Sequence, residues 1–271
     1  MTEPYDPRTA GEPAVSIVPD GPGLADAGAA LVADALSAAV ARRGRADLCS
    51  TGGSTPPAMY RRLTAPPLRG RVPWAHVHVW LGDDRFVPRD HPLSNMFGID
   101  EILLDELHGV PLPIANVHPW PNGDALAGDL GPDWTADAYA AEARAVLPLD
   151  PAGVPVFDLV LLGIGPDGHL MSVFPGSNAI GSDRLALGIP APTHVEPHVP
   201  RVTFNPSILA ASPDLLVMVG GESKAELLAR ILDGPRVDPA SPAGLPAQLA
   251  RRSNATWLID SAAAAELRPR A

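Results

Sequence analysis

The sequence predicts an α/β protein in three layers, with a mostly parallel β-sheet covered by helices on both faces. Strand-like apolar runs alternate with longer segments of helical periodicity along the 271 residues. Some runs, such as Leu159–Leu162, are continuously apolar, which is typical of strands buried on both faces. Glycines and charged residues follow the strands, at the edge where α/β sheets bind ligands. We expect one catalytic domain over residues 14–271, after a disordered tail, 1–13, that is rich in proline and charge.

The first half of the chain contains three predicted strands, each followed by a predicted helix. The first helix is rich in alanine, carries Leu24, Leu31, Ala35 and Val40 near helical spacing, and stops at a glycine. In chain order, the predicted strands are 14–18, 47–50 and 77–81, and the predicted helices are 24–43, 58–63 and 93–107.

The second half is less regular. Residues 109–131 are rich in proline and glycine and predict a connection with little regular structure, and 182–200 predict an irregular region or a strand pair. Within that region His194 and His198 lie among prolines, and we expect both at the surface. The predicted strands are 159–162, 201–204, 215–219 and 256–259, and the predicted helices are 134–147, 206–211, 222–232, 245–251 and 261–267.

Composition excludes several classes of function. The net charge of −11 leaves no basic footprint for nucleic acid or for an anionic membrane surface. The single cysteine, Cys49, excludes an internal disulfide, and Asp90 with His91 has no second ligand cluster at metal spacing. The first residues lack the pattern of a signal peptide, and no apolar run approaches the length of about 20 residues that a membrane helix needs. These observations predict a cytoplasmic protein.

The segment after the second predicted strand has the features of a phosphate site. Gly52 and Gly53 allow close approach of the backbone, Ser54 and Thr55 offer hydroxyls and capping oxygens, and Pro56 suits a first helical turn. Exposed N–H groups and the helix dipole would favour an anion there. An ordinary strand-to-helix turn would have the same local sequence, and the lysine of a Walker loop is absent.

A second segment, FDLVLLGIGPDGHLMSVFPG (157–176), carries titratable groups in a glycine-rich turn. Asp167 and His169 follow the buried strand, and Gly165 leaves room for a ligand. The glycines also satisfy GxGxxG, but Pro175 stops any helix within about one turn, and no acidic residue ends a following strand, so we do not expect dinucleotide binding.

Three cations accompany these segments. Arg85 follows the strand 77–81 together with Asp83, Arg201 lies in the strand 201–204, and Lys224, the sole lysine, lies at a helix start where it opposes the dipole. We expect all of these groups at the carboxyl ends of strands, on one edge of one sheet. Because no GxSxG nucleophile elbow occurs, the simplest chemistry is a histidine acting on water or on a substrate proton, with a small phosphorylated anion as substrate.

Five motifs give the chain a resemblance to a known family. The segments STGGSTPP, WLGDDRFVPRDHPLSN, FDLVLLGIGPDGHLMSVFPG, PRVTF and GGESKAELL resemble those of the 6-phosphogluconolactonases in order and spacing. That family shares a superfamily with glucosamine-6-phosphate isomerases and ribose-5-phosphate isomerases, and the resemblance implies their modified Rossmann topology. It covers about residue 14 to the end of the chain.

The resemblance also implies a reaction, the hydrolysis of 6-phospho-D-glucono-1,5-lactone to 6-phospho-D-gluconate in the oxidative pentose phosphate pathway. It implies His169 as general base, Asp167 as its orienting partner or as a turn residue only, and Arg85 as an oxyanion or substrate ligand. The phosphate and the rest of the substrate would be held by the residues of the two segments and by the nearby charges, namely Gly52, Gly53, Ser54, Thr55, Asp83, Gly165, Arg201 and Lys224. Backbone N–H groups near Gly165 are further candidate oxyanion donors. Neither metal nor organic cofactor nor obligate protein partner is implied.

Two other functions compete with this interpretation. An aldose–ketose isomerase or deaminase of the same superfamily would carry a glutamate about five residues after the DGH turn, and Leu170 to Pro175 contain no acid. A sugar-phosphate sensor without chemistry would need an attached DNA-binding segment, and residues 1–13 are too short and too acidic to form one.

Overall fold

The computed structural model describes residues 11–239, 241 and 244–269. Within them, the strands are β1 (Ala14–Val18), β2 (Ala46–Ser50), β3 (Val77–Leu81), β4 (Asp83–Arg85), β5 (Val117–His118), β6 (Leu159–Leu162), β7 (Ala186–Ile189), β8 (Arg201–Phe204), β9 (Leu215–Val219) and β10 (Ala255–Asp260). The helices are α1 (Gly21–Arg43), α2 (Pro56–Leu63), α3 (Leu68–Arg71), α4 (Asn95–Ile102), α5 (Asn122–Ala127), α6 (Pro132–Val146), α7 (Ser207–Ala211) and α8 (Ala225–Leu232). Short 3-10 turns occupy 74–76, 114–116, 222–224 and 246–250.

The main sheet has seven strands in the order β1-β10-β9-β6-β2-β3-β5, and every pairing in it is parallel. Residues of β2, β6 and β9 are buried along their full length, so the centre of the sheet is covered on both faces. The predicted α/β fold with a mostly parallel sheet is confirmed. From β2 the chain builds outward through β3 to β5. From β6 it builds in the opposite direction through β9 to β10, which pairs with the first strand, β1, at the edge. The strand order therefore reverses between β2 and β6.

A second, antiparallel sheet in the order β4-β8-β7 was not predicted. After β3 the chain bends at Gly82, whose carbonyl accepts from the Phe204 N–H of β8 at 2.9 Å, and continues directly into β4. The small sheet therefore begins at the carboxyl edge of the main sheet. This placement brings the first residue of β8 to the same edge, although it lies at the amino end of its own strand.

Helix α1 has the length and hydropathy of a membrane span over Gly21–Arg43, so the expectation that no run approaches that length was wrong. Its apolar residues nevertheless form the packed face of a core helix. The buried ones are Leu24, Ala25, Gly28, Ala29, Val32, Ala33, Leu36 and Ala39, and the helix contacts β2, β10 and α2. Length and composition alone are weak evidence for a membrane span, because an alanine-rich helix is apolar enough to resemble one while its small side chains pack closely in a core.

Several predicted helices were too long. The predicted helix 93–107 ends at Ile102, because the Asp105 side chain then accepts from the Leu107 and His108 N–H groups and competes with helical bonding. The predicted helix 222–232 is a 3-10 turn followed by α8. Residues 261–267 form turns rather than a helix. Asp260 accepts from the Ala263 N–H and starts the first turn, but Pro269 follows too soon for a helix to continue.

The connection 109–131 is more regular than expected, since β5 and α5 lie within it and β5 extends the main sheet. The region 182–200 contains β7, which pairs with β8. Of the predicted disordered tail, residues 1–10 lie outside the described residues. Residues 11–13 are described, and Glu12 pairs with Arg236 and Arg251.

Candidate active site

A pocket of about 280 Å³ opens at the carboxyl ends of β9, β6, β2 and β3, which are adjacent strands. It spans the point where the strand order reverses, which is where open α/β sheets bind ligands. Ten of the eleven predicted site residues line it, namely Gly52, Gly53, Ser54, Thr55, Asp83, Arg85, Gly165, His169, Arg201 and Lys224. The eleventh, Asp167, contacts the pocket through His169.

His169 and Asp167 form a close pair in the turn after β6. The Nδ1 atom of His169 lies 2.5 Å from Oδ1 of Asp167, and the same oxygen accepts from the His169 N–H at 3.2 Å. Burial alone would raise the pKa of Asp167, but hydrogen bonds and charge from His169, with a further bond from His194, lower that pKa below its usual range. An ionised Asp167 accepts a hydrogen bond from the Nδ1–H of His169 and leaves the Nε2 lone pair available as a base.

Gly165 makes room for the His169 ring. A Cβ atom at position 165 would lie 2.0 Å from both Nδ1 and Cε1 of His169, a separation that no side chain can occupy. The Gly165 N–H is already bonded to the carbonyl of His169 at 2.9 Å, so this group is not an available oxyanion donor. The other backbone N–H groups near Gly165 stay a prediction as oxyanion donors, and the glycine itself gives the His169 ring its space.

Arg85 and Arg201 face each other across two antiparallel strands. They are register partners in the β4–β8 pair, and like charges directly opposite destabilise a sheet. Burial, and then the charge of Arg85, lower the pKa of Arg201. The Nε atoms of both arginines are buried without a partner within the described structure. This arrangement costs stability, and the negative charge of an anionic ligand in the pocket would offset that cost.

The remaining bonds of the two arginines fix their directions. Arg85 donates from Nη1 to the Leu93 carbonyl at 3.1 Å and to the side-chain oxygen of Asn95 at 2.6 Å. Arg201 donates from Nη2 to the Pro197 carbonyl at 3.2 Å, and its guanidinium lies 5.5 Å from the centre of the Phe174 ring. These hydrogen-bond acceptors are neutral, so they leave the positive charge of both arginines available to a ligand in the pocket.

Lys224 contributes a third cation to the same pocket. It lies in the 3-10 turn just before α8, and its Nζ donates to the Ile164 carbonyl at 2.9 Å. Burial lowers the pKa of Lys224, and the charge of Asp167 acts against that effect. In the described part of the chain none of Arg85, Arg201 and Lys224 forms an ion pair, whereas Arg43, Arg89 and Arg184 pair with carboxylates.

The loop 52–55 lies where the sequence predicted it, between β2 and α2. Gly53 has a φ of 98°, which favours glycine. A Cβ at Gly52 would lie 1.9 Å from the side-chain oxygen of Asn95, so this glycine allows the loop to pack against α4. Pro56 occupies the predicted first turn of α2. Thr55 makes no capping bond to the helix, contrary to the capping expected of it.

Asp83 lines the pocket, but its carboxylate has protein partners. Oδ2 accepts from the Ser172 hydroxyl at 2.6 Å and Oδ1 accepts from the Asn95 amide at 3.3 Å. The neighbouring Asp84 is fully buried and accepts from the Asn95 N–H at 2.6 Å and from the Ser94 hydroxyl at 2.9 Å. Both carboxylates therefore support the start of α4, and through it Asn95 and Arg85.

Two residues of this site were missed from the sequence. Asn95 connects Gly52, Asp83 and Arg85, and its only local signal is the Ser-Asn pair at a helix start. The His194 side chain is 53% exposed, as expected of it, but its Nε2 lies 2.9 Å from Oδ2 of Asp167, so it is also part of the site. The contact joins residues 27 positions apart through a loop, so no local pattern indicates it.

The comparisons with known proteins agree with this geometry. The sequence profile of the family described as "Glucosamine-6-phosphate isomerases/6-phosphogluconolactonase" matches residues 19–258. The chain is 36% identical over 258 residues to the 6-phosphogluconolactonase of Mycobacterium tuberculosis, a match that covers 93% of this chain and 98% of the relative.

The fold is similar to solved structures of two enzymes. A Trypanosoma brucei 6-phosphogluconolactonase structure matches with a TM-score of 0.78 and 27% identity, covering 95% of this chain and 99% of the other. A monomeric glucosamine-6-phosphate deaminase structure matches with a TM-score of 0.71 and 22% identity, covering 93% of this chain and 99% of the other. The second likeness is one of fold alone.

Proposed function

The chain belongs to the glucosamine-6-phosphate isomerase and 6-phosphogluconolactonase family, and from this premise we propose that it hydrolyses 6-phospho-D-glucono-1,5-lactone to 6-phospho-D-gluconate. The resemblance found in the five sequence motifs is confirmed by these matches. The relative at 36% identity is named for this activity, and the match covers 98% of its length.

We infer the substrate class from a set of three cations that have no carboxylate partners among the described residues. Arg85, Arg201 and Lys224 converge on one pocket in a chain whose net charge is −11. Desolvating and juxtaposing cations is unfavourable unless an anion compensates them. The loop 52–55 provides backbone and hydroxyl donors at the start of α2, and we assign the substrate phosphate to this loop together with Arg201 and Lys224.

The chemistry follows from His169. Its Nε2 takes a proton from water as the water oxygen attacks the lactone carbonyl carbon, and the carbonyl oxygen becomes an oxyanion. Arg85 adds to the positive field in which this oxyanion forms. The tetrahedral intermediate collapses, the bond between the carbonyl carbon and the ring oxygen breaks, and the ring oxygen takes the proton back from His169. Asp167 holds the ring and stabilises its protonated form, and no cofactor enters these steps.

The setting of the reaction follows from the product. 6-Phosphogluconate is the substrate of the next oxidative step of the pentose phosphate pathway, and a cytoplasmic location for the protein is part of the proposal. The substrate is a small molecule, and the acidic net charge gives neither nucleic acid nor an anionic membrane a basic patch to bind.

The test uses freshly generated 6-phosphoglucono-1,5-lactone, which also opens unaided in water. Hydrolysis is followed with the wild-type protein, with the protein preincubated with 6-phosphogluconate, and in buffer alone. We expect a rate far above buffer that the product inhibits competitively. A wild-type rate equal to buffer contradicts the proposal, and turnover of glucosamine 6-phosphate in a parallel assay would assign the chain to the isomerase branch instead.

A further inference from the structure

His194 contacts the carboxylate that holds the base, from a loop outside the main sheet. Its Nε2 lies 2.9 Å from Oδ2 of Asp167, while Oδ1 of the same carboxylate faces Nδ1 of His169 at 2.5 Å. One carboxylate is thus shared by two imidazoles, one on each oxygen. From this geometry we propose that His194 is a positioning residue that fixes Asp167 and moderates the basicity of His169, a role that rests on the proposed hydrolysis.

The surroundings distinguish this contact from an ordinary surface ion pair. The Asp167 side chain is only 17% exposed, and within the described residues Oδ2 has no protein donor besides His194. The Phe174 ring packs against both imidazoles, with centroid distances of 4.6 Å to His169 and 5.8 Å to His194. The carboxylate is therefore largely shielded and has an apolar ring beside it, although the His194 side chain is itself 53% exposed, and a hydrogen bond to a shielded carboxylate is stronger than one in water.

The loop that carries His194 is attached to the site at a second point. Arg201 donates from Nη2 to the carbonyls of Glu196 at 3.5 Å and of Pro197 at 3.2 Å. Val195 and Glu196 line the pocket. The loop that carries His194 is thus fixed by the same arginine that we assign to the phosphate.

The sign of the electrostatic effect follows from the shared carboxylate. A donor on Oδ2 withdraws negative charge from Asp167, and the protonated form of His169 then gains less from its neighbour. Without that donor, His169 faces the full negative charge of Asp167 and keeps its proton up to a higher pH. It is then unavailable as a base over a wider acidic range. Arg201 and Lys224 are the other charged groups near Asp167, and Glu196 and His198 lie on the loop that carries His194. Arg201, Lys224 and Glu196 are unchanged in every variant below.

Two substitutions of His194 distinguish the effect of its hydrogen bond from the effect of having any side chain there. His194→Ala removes the donor, and His194→Gln keeps a neutral amide donor at similar reach. We expect the acid limb of kcat/KM for lactone hydrolysis to move to higher pH by about half a unit in His194→Ala, which is about a threefold loss on that limb. His194→Gln should restore the wild-type profile. His198→Ala, on the same loop and without contact to Asp167, should leave the limb in place.

An NMR titration of the His169 imidazole provides a readout that does not require turnover. The resonances are assigned by their loss in His169→Gln, and the midpoint is compared in wild type, His194→Ala and His194→Gln. A midpoint that rises in His194→Ala and returns in His194→Gln supports the inference even if the lactone proves not to be the substrate. Provided that the variants keep wild-type thermal unfolding, the inference is overturned if the midpoint does not change in His194→Ala or does not return in His194→Gln. A wild-type rate equal to buffer overturns only the proposed function.

Discussion

The two halves of the pocket handle charge in opposite ways. On one side, Arg85, Arg201 and Lys224 are held by carbonyl and amide oxygens and have no carboxylate partner within the described residues. On the other side, Asp167 is compensated by two imidazoles. A site that only bound a sugar phosphate would need the first half alone. The half that contains Asp167 is what a proton-transfer step requires, since the carboxylate stabilises the positive charge that His169 acquires when it takes a proton.

This difference predicts separable losses. Substitutions in the half that contains His169 should lower kcat with little change in affinity. Substitutions in the cationic half should weaken binding with a smaller effect on kcat. The following changes test that division in order of decreasing expected effect.

The largest effect is expected from His169→Ala. A positioned general base contributes about 10²–10⁴-fold, and we expect kcat for the lactone to fall by that amount towards the buffer rate. The measurement is the initial rate with fresh lactone over the buffer background. His198→Ala is the matched histidine control and should keep wild-type activity. A His169→Ala enzyme within a few-fold of wild type would show that the base lies elsewhere.

A second test moves the base without removing it. In Gly165→Ala the new Cβ would displace the His169 ring, and a misplacement of about 1 Å can cost about 100-fold in rate. Gly70→Ala is the control, because the Cβ there meets open space and Gly70 does not line the pocket. We expect kcat to fall steeply in the first variant and little in the second, at comparable melting temperatures. Equal kcat values would remove Gly165 from the positioning of His169.

The cationic half is tested by Lys224→Met. Loss of one hydrogen bond to a charged group should weaken binding of 6-phosphogluconate by about 10–100-fold, with kcat much less affected. The remaining affinity should depend less on ionic strength, because one charge of the site is gone. Titration calorimetry at two salt concentrations measures both effects. Arg144→Met, an exposed cation on α6, controls for net charge, and an equal loss in that variant would point to long-range attraction rather than contact.

The smallest effect concerns the support below the cationic half. Burial raises the pKa of Asp84 to about 7, despite bonds from Asn95, Ser94 and the Arg85 N–H that act in the other direction. A carboxyl with a raised folded-state pKa contributes stability that is fully present below pH 3.8 and is lost as pH rises through about 7. The unfolding free energy of wild type should therefore decline over that window relative to Asp84→Asn. Parallel stability curves in urea titrations across this range would contradict the assignment.

The sequence predicted the parts of the site that obey local rules. The strands Ala14–Val18, Val77–Leu81, Leu159–Leu162 and Leu215–Val219 have the predicted bounds, because continuous apolar runs between turn residues have few other solutions. Residues that follow parallel strands meet at one edge, so the order of strands and turns was enough to place the loop 52–55, His169 and Lys224 together.

The parts that depend on non-local contacts could not be predicted. Arg201 reaches the site from the amino end of an antiparallel strand, which the rule for parallel sheets does not cover. Asn95 and His194 act through side-chain bonds to residues 12 and 27 positions away in sequence. The predicted helix 93–107 ended early because the Asp105 side chain bonded the local backbone, and the predicted helix 261–267 is limited by Pro269. Helical periodicity accounts for neither effect.

The division between binding and chemistry can be measured directly with 6-phosphogluconate. Its dissociation constant is determined by calorimetry for wild type, His169→Ala and Lys224→Met, beside kcat for the lactone in the same preparations. We expect His169→Ala to bind the product within a few-fold of wild type while its kcat falls by at least about 100-fold, and Lys224→Met to show the reverse pattern. If His169→Ala loses as much affinity as Lys224→Met, the histidine is a binding residue and the assignment of a general base is wrong.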